Sequence, residues 1–350
     1  MSFNLNSLLR ENIKNLVPYS SARDEFKGDA SVFLDANENA FGSPLSHDYN
    51  RYPDPLQHQV KHKLHKIKGV PAENMFLGNG SDEAIDILYR AFCTPGKDNV
   101  IIVPPTYGMY EVSANINDVA VRKVNLTSDF QLNLDGIAEA MDMHTKIIFI
   151  CSPNNPTGNS IDRLDIETLL INFKGIVVVD EAYINYSSQK SFTHSLPEFP
   201  NLVVLQTLSK AWGLAALRLG LAFASKEIIQ VFNKIKPPYN INQATQDLVL
   251  EALDNYAIVN EWIKEAIQER EALVGKLNEI VQVEKITPSD ANFILVKLQN
   301  PKELYDFLVG KGIIVRDRSK IALCEGCLRI TIGTKAENVK LLEEIRSFYK

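Results

Sequence analysis

From Asn74 to Ala224 the chain alternates short apolar runs with helix-like stretches, and most of the runs end on a polar motif. The runs are Met75 to Leu77, Val100 to Val103, Lys146 to Cys151, Ile176 to Val179, Leu202 to Leu205 and Leu219 to Ala224. Strands spaced by helices are the pattern of an α/β fold, a mostly parallel sheet flanked by helices. In an open sheet of that kind a ligand lies in the crevice outside the carboxyl ends of the strands. The polar motifs fall along that edge.

Beyond Pro237-Pro238 the texture changes. A long helix-like stretch, Gln243 to Ile280, precedes a strand (Asn292 to Val296), a helix (Lys302 to Lys311), two strands (Ile313 to Arg316 and Cys327 to Ile332) and a last helix (Ala336 to Tyr349). We therefore expect a large ligand-binding domain over 35–242 and a smaller α+β domain made of 1–34 together with 243–350. The 350 residues suit two units, since single cores stop growing beyond roughly 250–300 residues.

A formal net charge of −6 argues against nucleic acid as a partner. No apolar run nears the ~20 residues of a membrane span and Met1 to Val17 has no signal-peptide core, so the expected location is the cytoplasm. Cys324-Glu-Gly-Cys327 has the spacing of a redox or zinc pair, but no second pair accompanies it. His58, His62 and His65 share a helix with the apolar stripe Leu56, Val60, Leu64 and Ile67 and point away from it, which reads as a solvated face. No metal is expected.

The motifs at the sheet edge carry the chemistry. Thr207-Leu-Ser-Lys210 sets a lysine directly after an apolar run, with Ser152-Pro-Asn-Asn-Pro-Thr-Gly158 and Asp180-Glu-Ala-Tyr183 upstream and Arg218 downstream. Pyridoxal phosphate needs an amine for its aldehyde, an anion opposite its pyridine nitrogen, a donor at its phenolic oxygen and a cradle for its phosphate. Lys210, Asp180, the pair Asn155 and Tyr183, and the cluster Ser209 with Arg218 match those needs. Leu77-Gly-Asn-Gly-Ser-Asp82 runs a strand through two glycines into a helix start, whose backbone amides can add a third wall to the phosphate cup. Tyr107 follows its strand at a place where an aromatic face could stack on the ring. Gly213 and Gly220 read as sites of close backbone packing.

Further marks are Pro18-Tyr19, Leu34-Asp-Ala-Asn-Glu-Asn39, Asn50-Arg-Tyr-Pro-Asp-Pro55, Pro105-Thr-Tyr107, Val315-Arg-Asp317 and Leu328-Arg-Ile-Thr-Ile-Gly333. With these the chain resembles, over nearly its whole length, the fold-type I pyridoxal-phosphate aminotransferases and within them the histidinol-phosphate aminotransferase family. The resemblance implies a Schiff base on Lys210, with Asp180 and Tyr183 completing the catalytic set. It implies that Gly80, Ser81, Asp82, Ser209 and Arg218 bind the phosphate, that Tyr107 stacks on the ring, and that Tyr183 and Asn155 hold the phenolic oxygen. It also implies a homodimer in which Tyr52 reaches the phosphate from the neighbouring subunit, and a substrate pocket of Tyr19, Asn37, Asn155, Arg316 and Arg329.

The reaction so implied is ping-pong transamination of L-histidinol phosphate with 2-oxoglutarate, giving imidazole-acetol phosphate and L-glutamate in histidine biosynthesis. Two positions depart from the family pattern: Ala216 stands where glycine is usual, and Arg318 where an apolar residue is common. The nearest alternative is an aromatic amino-acid aminotransferase, followed by a decarboxylase of phosphorylated amino acids. A cofactor-binding regulator of DNA would need an extra domain or a basic patch.

Overall fold

The computed structural model describes residues 3–19 and 30–350, and two sheets organise them. The larger has seven strands: β1 Met75–Asn79, β2 Asn99–Ile102, β3 Ala120–Lys123, β4 Thr145–Cys151, β5 Ile176–Asp180, β6 Leu202–Thr207 and β7 Leu219–Ala224. Their order across the sheet is β1-β7-β6-β5-β4-β2-β3, and only β7 runs against its neighbours. The six expected strands are present. β3 was not foreseen, because Val121-Arg122-Lys123 lacks the apolar run of a central strand and forms a half-exposed edge.

The central strands β5 and β6 are buried throughout, with successive side chains entering cores on opposite faces. In β5, Ile176 and Val178 join one apolar cluster while Val177 and Val179 join the other, and β4 and β6 repeat the alternation. Each aliphatic side chain so buried contributes about 1.5–3 kcal/mol. The same period of two decides where the chemistry points: Asp180, next in step after Ile176 and Val178, emerges on the face that holds Tyr110.

At Gly220, β7 passes against the start of the helix Gly80–Phe92, and a Cβ there would stand 2.1 Å from the Ser81 amide nitrogen. This is the close packing expected. Gly213 is different: a Cβ would meet nothing within 4 Å, and the residue is glycine because its φ is +67°.

The smaller sheet is antiparallel in the order β10-β11-β9-β8, with β8 Val283–Ile286, β9 Phe293–Leu298, β10 Arg316–Asp317 and β11 Cys327–Thr331. β9 is buried on both faces. Phe293 and Leu295 enter the core under the large sheet, whereas Ile294, Val296 and Leu298 join a separate cluster with Leu273, Leu328 and Ile345. Arg316 pairs with Arg329 and Arg329 with Leu295, so both arginines stand on the face turned to the large sheet.

The stretch from Gln243 to Ile280 is two helices, Gln243–Asp254 and Tyr256–Leu277, parted at Asn255. Val249, Leu253 and Val259 pack into the large-sheet core, while Leu273 and Leu277 pack into the small-sheet cluster. Ile13 also packs on the large sheet, in the cluster of Phe76 and Phe232. Packing therefore departs from the expected division at residue 242 and, for Ile13, from the assignment of 1–34 to the small domain; residues 1–2 and 20–29 of that segment lie outside the described ones. Among the described residues no helix is long and apolar enough to cross a membrane.

Candidate active site

A cavity of about 600 Å³ opens at the carboxyl ends of the parallel strands, between the two sheets. It gathers twelve of the residues singled out from the sequence: Gly80, Ser81 and Asp82 from the start of the helix Gly80–Phe92; Tyr107; Asn155; Asp180 and Tyr183; Ser209 and Lys210; Arg218; and Arg316 and Arg329. Asn37 and Tyr52 line a second groove together, and Tyr19 lies on the surface outside both.

Asp180 is buried at the end of β5. Its Oδ2 accepts from the Tyr110 hydroxyl at 2.7 Å and its Oδ1 from the Ala182 amide at 3.1 Å. Burial nonetheless lifts its pKa to about 6, against the two hydrogen bonds, with Asp82 adding to the rise and Lys210 opposing it. Tyr110 escaped sequence reasoning because it reads as a core aromatic of the helix Met109–Ile116; its ring stacks on Phe149 at 4.8 Å. Tyr110→Phe is expected to fold, and to raise the Asp180 pKa by about one to two units, the value of a charge-assisted hydrogen bond. Carbon NMR of labelled aspartate in cofactor-free protein reads this directly, and an unmoved titration would show the contact to be idle.

Lys210 leaves β6 one turn of chain beyond Thr207, whose Oγ1 accepts from the Ser209 amide at 3.1 Å. The lysine points into the cavity, with Nζ 5.7 Å from the centre of the Tyr183 ring. Its pKa is lowered, first by burial and then by the charge of Arg329 and Arg218, while Asp180 and Asp82 act the other way. Burial, aided by the two guanidinium groups, thus favours the neutral amine, the form that attacks a carbonyl or takes up a proton.

The phosphate end is built from backbone as much as from side chains. Gly80 sits at φ +71°, and a Cβ there would stand 2.8 Å from Arg218 Nη2. The Arg218 carbonyl accepts from the Gly80 amide at 2.6 Å, which locks the glycine turn to the arginine. The Asp82 carboxylate accepts from Tyr107 at 3.2 Å and lies 3.6 Å from Arg218. Being an anion, that carboxylate orients the arginine and the tyrosine, and the amides of the first helical turn are what an anion would bind.

Asn155 accepts at Oδ1 from Arg329 Nη1, so its Nδ2 is the group left to donate into the cavity. Burial raises the pKa of Tyr183, with Cys151 adding to the effect, and its ring meets Phe293 edge to face at 5.0 Å. Thr106 Oγ1, Arg318 Nε and Arg329 Nε are buried without a hydrogen-bond partner among the described residues, and all three residues line the cavity. Thr106 and Arg318 were not expected as lining residues; Arg318 had drawn notice only as a departure. A polar ligand or water in the cavity would supply the missing partners.

A buried carboxylate facing a lysine across a cavity, with an anion cup at one end and arginines at the other, defines a site for an amine-handling cofactor with a phosphate tail. The sequence profile of the family "Aminotransferase class I and II" matches residues 27–345, and the chain belongs to that family. It is 57% identical over 348 residues, 99% of the chain and 100% of its relative, to a histidinol-phosphate aminotransferase of Cytophaga hutchinsonii. It is 55% identical to that of Parabacteroides distasonis over 98% of each chain. Among solved structures it is similar in fold to histidinol-phosphate aminotransferase from Sinorhizobium meliloti in complex with pyridoxal-5'-phosphate, with a TM-score of 0.77, 23% identity, and coverage of 89% of this chain and 90% of the other.

Proposed function

We propose that this chain is a cytoplasmic, pyridoxal-phosphate-dependent aminotransferase that converts L-histidinol phosphate and 2-oxoglutarate into imidazole-acetol phosphate and L-glutamate. The observation that carries the reading is the cavity itself: a lysine and a buried aspartate at one level, an anion cup on one side, and paired arginines on the other. Near-full-length similarity to histidinol-phosphate aminotransferases supports the choice of substrate.

Pyridoxal phosphate, when bound, supplies an aldehyde that condenses with amines and a ring that takes up an electron pair. Lys210 would be the amine that holds the aldehyde and, as a neutral amine, the group that moves a proton at the substrate carbon. Asp180, buried at the end of β5, would stand opposite the pyridine nitrogen and favour its protonated form. Tyr183 and Asn155 Nδ2 would hold the phenolic oxygen, Tyr107 would cover the ring, and Gly80, Ser81, Asp82, Ser209 and Arg218 would take the phosphate. Arg316 and Arg329 present forked guanidinium groups that suit both a phosphate ester and a carboxylate, so one pocket serves both halves of a ping-pong cycle. The large domain, 35–242, carries the cofactor together with the helix Gln243–Asp254 packed on it, and the remainder of 243–350 closes the substrate side.

Assay of purified protein with 2-oxoglutarate and either histidinol phosphate or phenylalanine tests the reading. Preference for phenylalanine would favour the aromatic aminotransferase, and carbon dioxide release without need of a keto acid would favour the decarboxylase.

The working unit in this proposal is a homodimer with shared sites. Val32, Leu34, Phe41, Leu45 and Tyr52 are all exposed, Phe41 fully, within one stretch of chain. An apolar row of that kind calls for a partner. Tyr52 stacks on Tyr239 at 4.4 Å, its amide is held by Glu38 at 2.7 Å, and with Asn37 it faces the second groove. Two-fold symmetry lets each arm complete the other subunit's site, bringing Tyr52, Asn37 and Tyr19 to it. Tyr52→Ala is expected to be clearly impaired by itself. An isolated mixed dimer of Tyr52→Ala with Lys210→Ala then has one intact site and should recover about half of wild-type activity if sites act independently. Activity equal to the mean of the two parent variants would place Tyr52 in its own subunit's site.

A further inference from the structure

We propose that Arg318 is a third anion-binding residue at the substrate end of the cavity, and that it fits this end to a phosphate monoester dianion in preference to a carboxylate. The inference deepens the proposed function and rests on its assignment of the substrate end to Arg316 and Arg329.

Three observations carry it. The first is strand geometry. Arg316 lies opposite Arg329 in the ladder of β10 and β11, and the pairing continues past β10, where the Arg318 amide donates to the Cys327 carbonyl at 2.9 Å. Residues two apart on an extended strand share a face, so Arg316 and Arg318 project together on the side of Arg329. All three line the cavity.

The second is the lack of counter-charge. Among the described residues none of the three arginines forms an ion pair, and Arg318 Nε and Arg329 Nε are buried without a hydrogen-bond partner. The nearest carboxylate in sequence, Asp317, alternates to the other face and accepts from the Ser319 amide at 2.8 Å. Arg316 is exposed while Arg318 and Arg329 are half-buried, and guanidinium groups gathered on one face repel one another where burial costs the inner two part of their hydration. In keeping with this, the pKa of Arg318 is lowered by burial and then by Arg316, and that of Arg329 by burial and then by Arg318.

The third is stoichiometry. A carboxylate has one charge and two oxygens, which the forks of Arg316 and Arg329 already satisfy. A phosphate monoester has about −1.5 to −2 charges at pH 7 and three acceptor oxygens. A third guanidinium finds a partner only in the second case.

The test uses holoenzyme in single-turnover half-reactions, with histidinol phosphate as one amine donor and glutamate as the other. The readout is the ratio of the two second-order rates. Arg318→Leu should lower that ratio by about ten- to a hundredfold, the weight of one charge-assisted contact, and Arg318→Lys should restore part of it. An unchanged ratio, whether both rates fall together or neither falls, overturns the proposal. Inorganic phosphate as an inhibitor of the glutamate half-reaction gives a second readout that needs no phosphorylated substrate. Arg318→Leu should weaken that inhibition by about tenfold or more. Unaltered inhibition by phosphate overturns the role of Arg318 by itself, whereas a wild-type enzyme that is inhibited through Arg318 yet ignores histidinol phosphate overturns the proposed function and leaves the anion site standing.

Discussion

Lys210→Ala is expected to fold and to retain cofactor, while turnover falls by at least the ~10²–10⁴ of a lost positioned proton-transfer group. The side chain projects from the end of β6 into the cavity and takes part in no ion pair among the described residues, so its removal leaves the frame intact. What disappears is the amine whose pKa burial, Arg329 and Arg218 hold down. Borohydride reduction of the holoenzyme followed by peptide mapping locates the reacting amine, and label on a lysine other than Lys210 would remove it from the mechanism.

Asp180→Ala should weaken cofactor binding and nearly abolish transamination. Losing one partner of a buried charge pair costs roughly 3–5 kcal/mol, or two to three and a half decades. Asp180→Asn, of equal size, separates charge from packing through pH. The folded-state pKa of about 6 lies above the ordinary 3.8, so the folded protein holds this proton more tightly than the unfolded chain. Stability of cofactor-free protein therefore declines as pH rises from about 4 to about 6, by up to about 3 kcal/mol at roughly 1.4 kcal/mol per unit. Urea melts at each pH should show that decline in the wild type relative to Asp180→Asn. Parallel curves would mean that the carboxylate is no less comfortable folded than unfolded. In the proposed function a cationic ring nitrogen beside Asp180 would offset the same cost, so that an unfavourable burial would be converted into cofactor affinity.

Much of this was legible because buried parallel strands announce themselves as apolar runs and their chemistry follows at the carboxyl end. The antiparallel course of β7 was not, since Leu219 to Ala224 reads alike in either direction. Edge strands β3 and β8 escaped because Val121-Arg122-Lys123 and Val283-Glu284-Lys285 pack on one side at most. The break at Asn255 carries no glycine or proline to mark it. Most residues that line the cavity stand out in the sequence by their chemical type, while Tyr110, packed among Phe149 and Tyr107 with its hydroxyl on Asp180, looks like core until the strand's parity is known. Arg316 and Arg329 came from resemblance; the ladder that seats them opposite one another comes from pairing between distant segments.

The helix Tyr256–Leu277 is a strut between two load points. At one end Tyr256 stacks on Trp212, two residues past Lys210, at 5.5 Å; along its length Arg270 grips the Ala291 carbonyl at 2.8 Å, and its far end is buried with the small sheet's outer face. A rod of 22 residues is about 33 Å long and resists bending. Any tilt of the sheet that bears the arginines would thereby be levered onto the segment that bears the lysine.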